Sequence, residues 1–444
     1  MRICVLQSAY PDNHSIAQHD PGADPSRFTD EHTFEHRWIH KTTAKEQIDA
    51  AIAENFDFYF NFMWGQYEDD VAGIEACQYF EKFGLPAAGV WSEVLLRTKN
   101  DFYRDARGLG TPRVPGISNY PFFVNPSTGC SKYQQSPRTW THSVDGIPIP
   151  DDVVVQEFIQ GWDHSVVIVE IGNTPVPLAP ERYIYPSDFN PHTGFLTFDT
   201  KFHHDTSVEI LNRKDDPALF EKLQATAIEA FYTNKSSGKG WCNVDIRVPT
   251  TGDPVVIEVN PMPSVFLPED NEWEDKCIWE CFPGGQRALI DTLISTSLLQ
   301  RGETASEQYG LSFEEYDTII QSVDTKSICE KILSHGSSGT VLELGSGNGY
   351  FGRAMQEFLS QEQSISVTGI ESSHDMVERC RETGAYSTVY HGTIPSVTVA
   401  IHSGESGKWC NHKRALETTF ASPPGWRLIR PSGDIYCYDK IYSN

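Results

Sequence analysis

The sequence predicts an α/β protein, and three observations support this prediction. First, apolar segments with the composition of strands alternate with amphipathic segments, beginning with "ICVLQSAY" (3–10), "TAKEQIDAAIAEN" (43–55) and "FDFYFNFM" (56–63). Strands that alternate with helices are typical of an α/β layer. Second, two short strands flank the turn-like segment "PTTGDP" (249–254). Third, the alternation of strands and helices resumes beyond residue 325.

Start and stop signals mark the helices between these strands. "GIEACQYFEKFGLP" (73–86) predicts a helix that ends at Gly84, with a proline close behind. "RTKNDFYRDARGLGTP" (97–112) predicts a charged helix that stops at Gly108 and Gly110.

A third helix is predicted in "DPALFEKLQATAIEAFYTN" (216–234). Asp216 can cap this helix, and Pro217 fits its first turn. Ahead of it, "VVVQEFIQGWDHSVVIVEI" (153–171) predicts two strands joined at "QGWD".

The length of the chain allows more than one domain. We place an N-terminal α/β domain at 1–88, a second domain at 89–302, a polar linker at 303–325 and a third domain at 326–444. We end the second domain at residue 302 because a helical pattern changes there to the polar stretch that begins after Gly302.

The charge of the chain limits the classes of partner that it is expected to bind. The 444 residues include 61 acidic and 35 basic side chains, and the net charge is -26. This charge repels phosphate backbones and anionic membranes, so we expect neither a nucleic-acid nor a membrane partner. No run approaches the roughly 18 apolar residues of a membrane span, and the first apolar run is too short for a signal peptide. The ten cysteines are scattered without a zinc pattern, so we expect a cytoplasmic protein with reduced thiols.

The two strands around "PTTGDP" carry polar side chains on one face. Side chains alternate between the two faces of a strand. Alternation in "CNVDIRV" (242–248) and "VVIEVN" (255–260) predicts the following set on one face of the hairpin: Asn243, Asp245, Arg247, Val256, Glu258 and Asn260. Asp245, Glu258 and Asn260 supply two carboxylates and an amide oxygen, which suit Mg²⁺ held partly by substrate phosphates. Alternation alone also allows an ordinary hairpin with a solvent-facing polar side.

Candidate phosphate-binding groups are spread along the chain. Lys99 and Lys201 can supply positive charge. The loop "STGCS" (127–131) contains small residues, including Gly129 and Ser131, that would let backbone N–H groups approach phosphate oxygens.

Base and ribose contacts are suggested by "VQEFIQGWD" (155–163). Phe158 and Ile159 can sandwich a base, and the downstream Asp163 can accept hydrogen bonds from ribose hydroxyls.

In this order, these segments resemble the ATP-grasp superfamily, and most closely its D-alanine–D-alanine ligase-like, carboxylate–amine ligase branch. The resemblance covers about 50–302. It implies an N-terminal α/β domain followed by two α+β ATP-grasp subdomains, with ATP and one or two Mg²⁺ ions as cofactors. The metal signature corresponds to "DIRVPTTGDPVVIEVNPMPS", which contains Asp245, Glu258 and Asn260. The nucleotide contacts that the resemblance implies are Lys99, Asn125, Gly129, Ser131, Gln156, Phe158, Ile159, Asp163 and Lys201.

Three positions depart from the family pattern. Asn125 stands where the second ATP lysine is usual, and Asp163 stands where a glutamate is usual. Asn243 stands where many members keep an arginine near the transferred phosphate. Arg247, two residues further on, can serve there instead or can bind the substrate carboxylate.

The resemblance implies an acyl-phosphate mechanism. ATP phosphorylates a substrate carboxylate, and an amine then displaces phosphate to form an amide. Phosphoryl transfer requires alignment and neutralised charge rather than a nucleophilic side chain. The catalytic candidates are Arg247, Asn243 and Lys201. One substrate is expected to be an amino acid, and self-association of the protein is an additional expectation.

A second glycine-rich stretch follows the linker. "TVLELGSGNGYFG" (340–352) reads as a strand, a glycine turn and a helix, and a second strand ends at Glu371. The stretch resembles motif I of class I S-adenosylmethionine-dependent methyltransferases over about 326–395. This resemblance implies that S-adenosylmethionine would be held by Glu343, Gly345, Gly347, Gly349 and Glu371.

The methyltransferase-like pattern stops early. After Glu371 about 73 residues remain, which is too short for the further strands, helices and lid of a complete doubly wound domain. We therefore expect a partial Rossmann-like domain with open strand edges. It can be a structural remnant, a cofactor-binding regulator or a working methyltransferase.

Two functions from other classes stay open beside ligation. One is a nucleotide-binding protein without turnover, which Asn125 and Asn243 favour. The other is a bifunctional ligase and methyltransferase.

Overall fold

The structure is a computed structural model in which a defined part of the 444-residue chain is described. The described residues are 1–11, 22–116, 122–126, 138–140, 153–172, 174–186, 190, 194, 206–267, 273–300, 317, 325–334, 338–360, 363–371, 373–391, 426–429 and 436–440.

Contacts between Cα atoms divide the chain into two compact units. The first is built mainly from Met1–Glu170 and Pro175–Ile290, and the second mainly from Ile171–Thr174, Asp291–His402 and Lys408–Asn444.

A parallel sheet of four strands opens the first unit, in the order β2-β1-β3-β4. Its strands are β1 (Arg2–Ser8), β2 (Thr33–Ile39), β3 (Phe58–Phe62) and β4 (Ala87–Gly89). The core residues Ile3, Cys4, Val5 and Leu6 of β1 are completely buried, because parallel sheets are covered on both faces. The strands predicted in "ICVLQSAY" and "FDFYFNFM" are therefore confirmed.

Helices α1 (Ala44–Ala53) and α2 (Ile74–Glu81) connect these strands and confirm the two predicted helices. The predicted end of α2 at Gly84 is three residues late. Phe83 and Gly84 donate their N–H groups to Phe80 and Glu81, three residues back, so the last turn is tighter than an α-helical turn.

Helix α3 (Ser92–Leu95) and helix α4 (Lys99–Leu109) lead out of this sheet. A capping box between Thr98 and Asp101 starts α4, and Gly110 ends it in the left-handed conformation, with φ of 78°. Lys99 is therefore fixed in the first turn of the helix.

A larger antiparallel sheet has the strand order β11-β10-β8-β12-β13, with β9 paired to β8. Its strands are β8 (Gly161–Ile171), β9 (Thr174–Pro177), β10 (Glu181–Ile184), β11 (Ser207–Ile210), β12 (Trp241–Pro249) and β13 (Val255–Asn260). A small antiparallel sheet contains β5 (Phe122–Pro126), β6 (Arg138–Trp140) and β7 (Val153–Glu157) in the order β6-β5-β7. The strand pair predicted at 153–171 is confirmed as β7 and β8.

One face of the larger sheet packs against helices. Helix α5 (Pro217–Thr233) is capped by Asp216, whose side chain accepts a hydrogen bond from the Leu219 N–H as predicted. The core contains Phe102 and Tyr103 from α4, residues of α5 and the alternate strand residues Val166, Ile168, Val244 and Ile246.

The opposite face of β12 meets the N-terminal sheet at one end. The ring of Trp241 stacks at 6.1 Å from that of Phe62, and both contact Phe266. Trp241, Asn243, Asp245 and Arg247 follow each other at two-residue steps along β12, so they share this face. Helices α6 (Trp273–Cys281) and α7 (Gly285–Gln300) follow β13.

The second unit contains a sheet in the order β16-β15-β14-β18-β17. Three strands are parallel, and the last two form a hairpin that pairs antiparallel to β14 through β18. The strands are β14 (Ser338–Leu344), β15 (Ser364–Glu371), β16 (Thr388–His391), β17 (Trp426–Ile429) and β18 (Tyr436–Lys440), and the helices are α8 (Thr325–Leu333), α9 (Tyr350–Phe358) and α10 (His374–Glu382). The strand β18 pairs with β14, so the outer strands of this sheet are β16 and β17.

None of the helices in the described ranges is long and apolar enough to cross a membrane.

Candidate active site

The polar face of the β12–β13 hairpin is the centre of the candidate site. Asp245 lies directly opposite Glu258, and Asn243 lies opposite Asn260. The predicted grouping of Asp245, Glu258 and Asn260 on one face agrees with this register.

A β-bulge corrects one detail of that prediction. Between the pairs Asp245–Glu258 and Ile246–Val256 the register shifts, and Ile257 is the extra residue. Val256 consequently joins the buried core beside Ile246, whereas simple alternation had placed it on the polar face with Glu258. A bulge changes which side chains share a face, and here it lets Val256 be buried while Glu258 stays on the site.

Hydrogen bonds tie the amides of this cluster to one carboxylate. Asn243 Nδ2 donates to Asp245 Oδ1 at 3.0 Å, and Asn260 Nδ2 donates to Asp245 Oδ2 at 3.0 Å. Asp245 is half-buried between them, whereas Asn243 is buried. The orientation of the central carboxylate is therefore fixed by two neighbouring side chains.

Lys99 brings positive charge to the other carboxylate. Its Nζ atom lies 2.8 Å from Glu258 Oε2. A lysine at this point can neutralise Glu258 or bind a phosphate oxygen next to it.

The donor set fits Mg²⁺. Asp245, Glu258 and Asn260 offer oxygen ligands on one face, as this cation requires when phosphates complete its coordination. Within the described ranges, no group of three or more His, Cys, Asp or Glu side chains could hold a metal. The site has only two carboxylates and adds amides, which suits a metal that arrives with a nucleotide.

A buried tyrosine, Tyr103, connects the elements around the site. Its hydroxyl lies 2.7 Å from the Ile257 carbonyl oxygen and 2.8 Å from the side-chain oxygen Oε1 of Gln156. Burial raises the pKa of Tyr103 far above its ordinary value, so the phenol stays protonated and can donate.

Asp163, predicted to bind ribose, already has protein partners. Tyr185 donates its hydroxyl to Asp163 Oδ2, and Arg247 Nη1 lies 3.6 Å from the same oxygen. Burial raises the pKa of Asp163, and Arg247 and the Tyr185 hydroxyl oppose that effect.

Arg247 lies beside Asp163, the acid predicted to bind ribose. Its guanidinium lies 5.0 Å from the centre of the Phe158 ring and donates to the carbonyls of Gly161 and Gly194 at 3.1 and 2.6 Å. Only 6% of the Arg247 side chain is exposed. A role at the transferred phosphate would require Arg247 to leave these partners.

Phe158 and the buried Ile159 and Gln156 lie at the junction of β7 and β8, as the predicted base-binding segment requires. Other predicted residues fall outside the described part of the chain: Gly129, Ser131 and Lys201. The backbone of Asn125 pairs with Val154 in the small sheet, and its side chain lies outside the described residues.

Sequence reasoning missed Tyr103 and Tyr185. Tyr103 looked like an ordinary core residue of a helix, although its spacing of four residues from Lys99 placed both on one helical face. Tyr185 gave no local signal, because it approaches Asp163 only through the pairing of β10 with β8.

The glycine turn of the second unit has the expected backbone. Gly345, Gly347 and Gly349 have φ angles of 75°, 52° and 79°, which favour glycine. Glu371 accepts hydrogen bonds from the N–H groups of Gly347 at 2.8 Å and Ser373 at 2.9 Å, and it is buried.

Glu343, the other acid of this turn, is also engaged. The Tyr386 hydroxyl donates to Glu343 Oε2 at 2.5 Å, and burial raises the pKa of Glu343 to about 8. The Tyr386 ring fills the space beside Gly352, where a Cβ atom would lie 2.2 Å from it. Both predicted acids thus have hydrogen-bond partners within the domain.

Two known families match separate segments of the chain. Residues 98–266 match the family described as D-ala D-ala ligase C-terminus, and residues 314–402 match a methyltransferase domain family. No curated protein sequence matches this chain.

Three solved structures that align with this chain have low sequence identity to it. The VanG D-Ala:D-Ser ligase from Enterococcus faecalis is 14% identical with a TM-score of 0.44, over 66% of this chain and 98% of that chain. The D-alanine-D-alanine ligase from Coxiella burnetii is 16% identical with a TM-score of 0.46, over 68% and 97%. The L-amino acid ligase from Bacillus licheniformis is 12% identical with a TM-score of 0.44, over 66% and 74%.

The match at 98–266 covers the capped helix α4, the predicted base-binding segment and the bulged hairpin, which are the parts that carry the candidate site. The chain therefore contains a segment similar to the D-ala D-ala ligase C-terminus family, followed by a segment similar to a methyltransferase domain family.

Proposed function

We propose that the chain activates a carboxylate as an acyl phosphate and couples it to an amine, with an amino acid as one substrate. The observation that carries this proposal is the opposed pair Asp245–Glu258, with Asn260 bound to Asp245 and Lys99 bound to Glu258. Oxygen ligands on a strand hairpin, with a lysine of α4 beside them, suit a metal–phosphate group better than they suit a solvated surface.

The residues have separate roles in this reaction. Asp245, Glu258 and Asn260 would hold Mg²⁺, which supplies neutralisation of the phosphate charge when bound. Lys99 contacts phosphate oxygens and keeps them next to Glu258. Phe158 and Ile159 contact the base.

The chemistry balances without a protein nucleophile. A carboxylate oxygen forms a bond to the γ-phosphorus of ATP, and the bond between that phosphorus and the ADP oxygen breaks. The amine nitrogen then forms a bond to the acyl carbon, phosphate leaves, and the nitrogen releases a proton to water. Alignment and neutralised charge supply most of the rate enhancement in such transfers.

The departure at Asn243 bears on the substrates. An amide is neutral, and it donates to Asp245 at 3.0 Å, so it brings no positive charge to a substrate carboxylate or to the transferred phosphate. Asn243 also supports the second candidate, a protein that binds nucleotide without turnover.

We propose that the methyltransferase-like domain does not methylate, because Glu343 and Glu371 are engaged inside it. We further propose a cytoplasmic protein, since the reaction consumes ATP. Small-molecule acids and amines are its partners, and self-association remains a prediction.

The test measures ADP release by the full chain with pools of amino acids, with and without added amines. Hydroxylamine in a parallel series traps an acyl phosphate as a hydroxamate. Amine-dependent ADP release with hydroxamate formation supports ligation. Tight ATP binding with no ADP release for any acid supports the binding protein instead.

A further inference from the structure

The hydroxyl of Tyr103 lies between two sheets that contribute to the candidate site. It contacts Gln156 on β7 of the small sheet and Ile257 on β13 of the larger sheet, at 2.8 and 2.7 Å. Residues just after Gln156 form the base-binding segment, and Glu258 just after Ile257 is a candidate metal ligand. One side chain therefore contacts both the strand that leads into the proposed base-binding segment and the strand that carries two candidate metal ligands.

The contact with Ile257 is made at the bulge. Ile257 is the residue that the β12–β13 register passes over, and the extra residue of a bulge is left out of the regular ladder. The Tyr103 hydroxyl is a donor for its carbonyl oxygen. This hydrogen bond favours the bulged register over a regular one, in which Val256 and Glu258 would share a face, so that Val256 could not be in the core while Glu258 is on the site.

The single phenol proton decides how the three groups are arranged. Tyr103 cannot donate to Gln156 and Ile257 together, since a phenol has one proton. In the structure the Gln156 atom next to the phenol is the side-chain oxygen Oε1, and a half-turn of the side-chain amide exchanges it with Nε2. With Nε2 toward the phenol oxygen, Gln156 donates to Tyr103 and Tyr103 donates to Ile257, so all three groups are satisfied. Gln156 thereby orients the hydroxyl toward the bulge.

Helix α4 sets the position of this hydroxyl and of Lys99 together. Lys99 and Tyr103 are four residues apart and share one face of the helix. They contact Glu258 and Ile257, which are consecutive in β13. The capping box at Thr98 fixes where the helix begins, so both contacts depend on the same start.

We propose that Tyr103 is a positioning residue for the metal site: it holds the bulge at Ile257, so that Glu258 and Asn260 face the nucleotide phosphates. This inference rests on the proposed function, because it assumes that Glu258 and Asn260 hold the metal. A residue that acted only through core packing would need its ring but not its hydroxyl.

The experiment compares Tyr103→Phe with Tyr59→Phe, which removes the hydroxyl of another buried tyrosine in the N-terminal sheet. Electron paramagnetic resonance measures Mn²⁺ binding to the full chain with a non-hydrolysable ATP analogue. We expect Tyr103→Phe to raise the Mn²⁺ Kd by about tenfold, as the loss of outer-shell partners of metal ligands typically does. Tyr59→Phe should leave it unchanged, and circular dichroism should show both variants folded.

A second variant keeps the inference testable if Tyr103→Phe folds poorly. Gln156→Met leaves the Tyr103 ring in place but removes the group that orients its hydroxyl, so Mn²⁺ affinity should fall by less than in Tyr103→Phe. The double variant should lose no more affinity than Tyr103→Phe alone, because the two residues act in one chain of hydrogen bonds.

Three results distinguish the positioning role of Tyr103, the metal site and the ligation reaction from one another. Unchanged Mn²⁺ affinity in folded Tyr103→Phe, or equal losses in Tyr103→Phe and Tyr59→Phe, overturns the positioning role. Wild-type protein that binds no Mn²⁺ with the analogue overturns both this inference and the metal site. Wild-type protein that binds Mn²⁺ but releases no ADP overturns ligation alone, and the Mn²⁺ comparison still decides the role of Tyr103.

Discussion

Lys99 Nζ lies 2.8 Å from Glu258 Oε2, and the two side chains are 17% and 27% exposed. The pair joins the first turn of α4 to the strand that carries two candidate metal ligands. A cation that neutralises a metal ligand competes with the metal, yet the same ammonium can bind a phosphate oxygen once the carboxylate is engaged.

Replacement of Lys99 should therefore have opposite effects on the affinity for the metal ion and on the affinity for the nucleotide. Lys99→Met should tighten Mn²⁺ binding in the absence of nucleotide and weaken ATP binding, each by a few-fold, since a partly exposed pair contributes about 0.5–1 kcal/mol. Electron paramagnetic resonance and calorimetry measure the two affinities. A variant that binds both ligands more weakly would contradict the competition.

Removal of the metal ligands should stop the reaction without unfolding the protein. Glu258→Gln and Asn260→Ala should each lower ADP formation by about a hundredfold or more, because a metal contributes several kcal/mol to charge stabilisation in the transition state. Glu209→Gln is the matched control, since Glu209 is an exposed acid paired with Arg182 on the same sheet. Near-normal turnover in the first two variants would mean that the hairpin is only a polar face.

The phosphate-binding charge can be tested at two residues whose side chains lie outside the described set. Lys201→Ala should weaken ATP binding or slow the transfer step, because the resemblance assigns a phosphate contact to Lys201. Asn125→Lys should raise ATP affinity, because it adds charge where the family pattern has a lysine. ATP titrations of both variants decide this, and unchanged affinities would show that neither residue meets the phosphates.

The stability of the second unit should depend on pH through Glu343. Burial raises the pKa of Glu343 from 4.5 to about 8, so between these values the folded state binds a proton that the unfolded state lacks. Stability should consequently fall as pH rises through this window, by up to about 1.4 kcal/mol per pH unit.

Glu343→Gln should remove that dependence and keep an acceptor for the Tyr386 hydroxyl. Glu357→Gln, at an exposed acid of α9, is the control that should leave it in place. Thermal unfolding between pH 5 and 8 checks the difference, and identical pH profiles for wild type and Glu343→Gln would exclude the buried acid as its source.

The methyltransferase-like domain should contribute neither methyl transfer nor ligation. Full-length protein incubated with labelled S-adenosylmethionine and the ligation product should transfer no label to that product. A chain that ends near residue 305 should retain ADP release. Label in the product would establish a bifunctional enzyme instead.

Sequence patterns predicted the polar face of the hairpin because alternation within a strand is a local property, and Asp245 and Glu258 do lie opposite each other. They did not predict the bulge, since a register shift depends on how two strands pair and on Tyr103 from a distant helix. They also could not predict that Asp163 meets Tyr185 or that Glu371 meets Gly347, because these contacts form only when separate strands and loops pack.

In the sheet of the second unit, the hairpin β17–β18 covers one side of β14, so this sheet depends on the last two strands of the chain. β18 supplies the hydrogen-bonding partners of Val341, Leu342, Glu343 and Leu344 in β14. A chain shortened before Trp426 would leave those backbone groups bare along the middle of the sheet, and a bare strand readily recruits a strand from a second molecule. Aggregation of such shortened chains would then reflect the loss of a built-in edge protector and not the absence of a ligand.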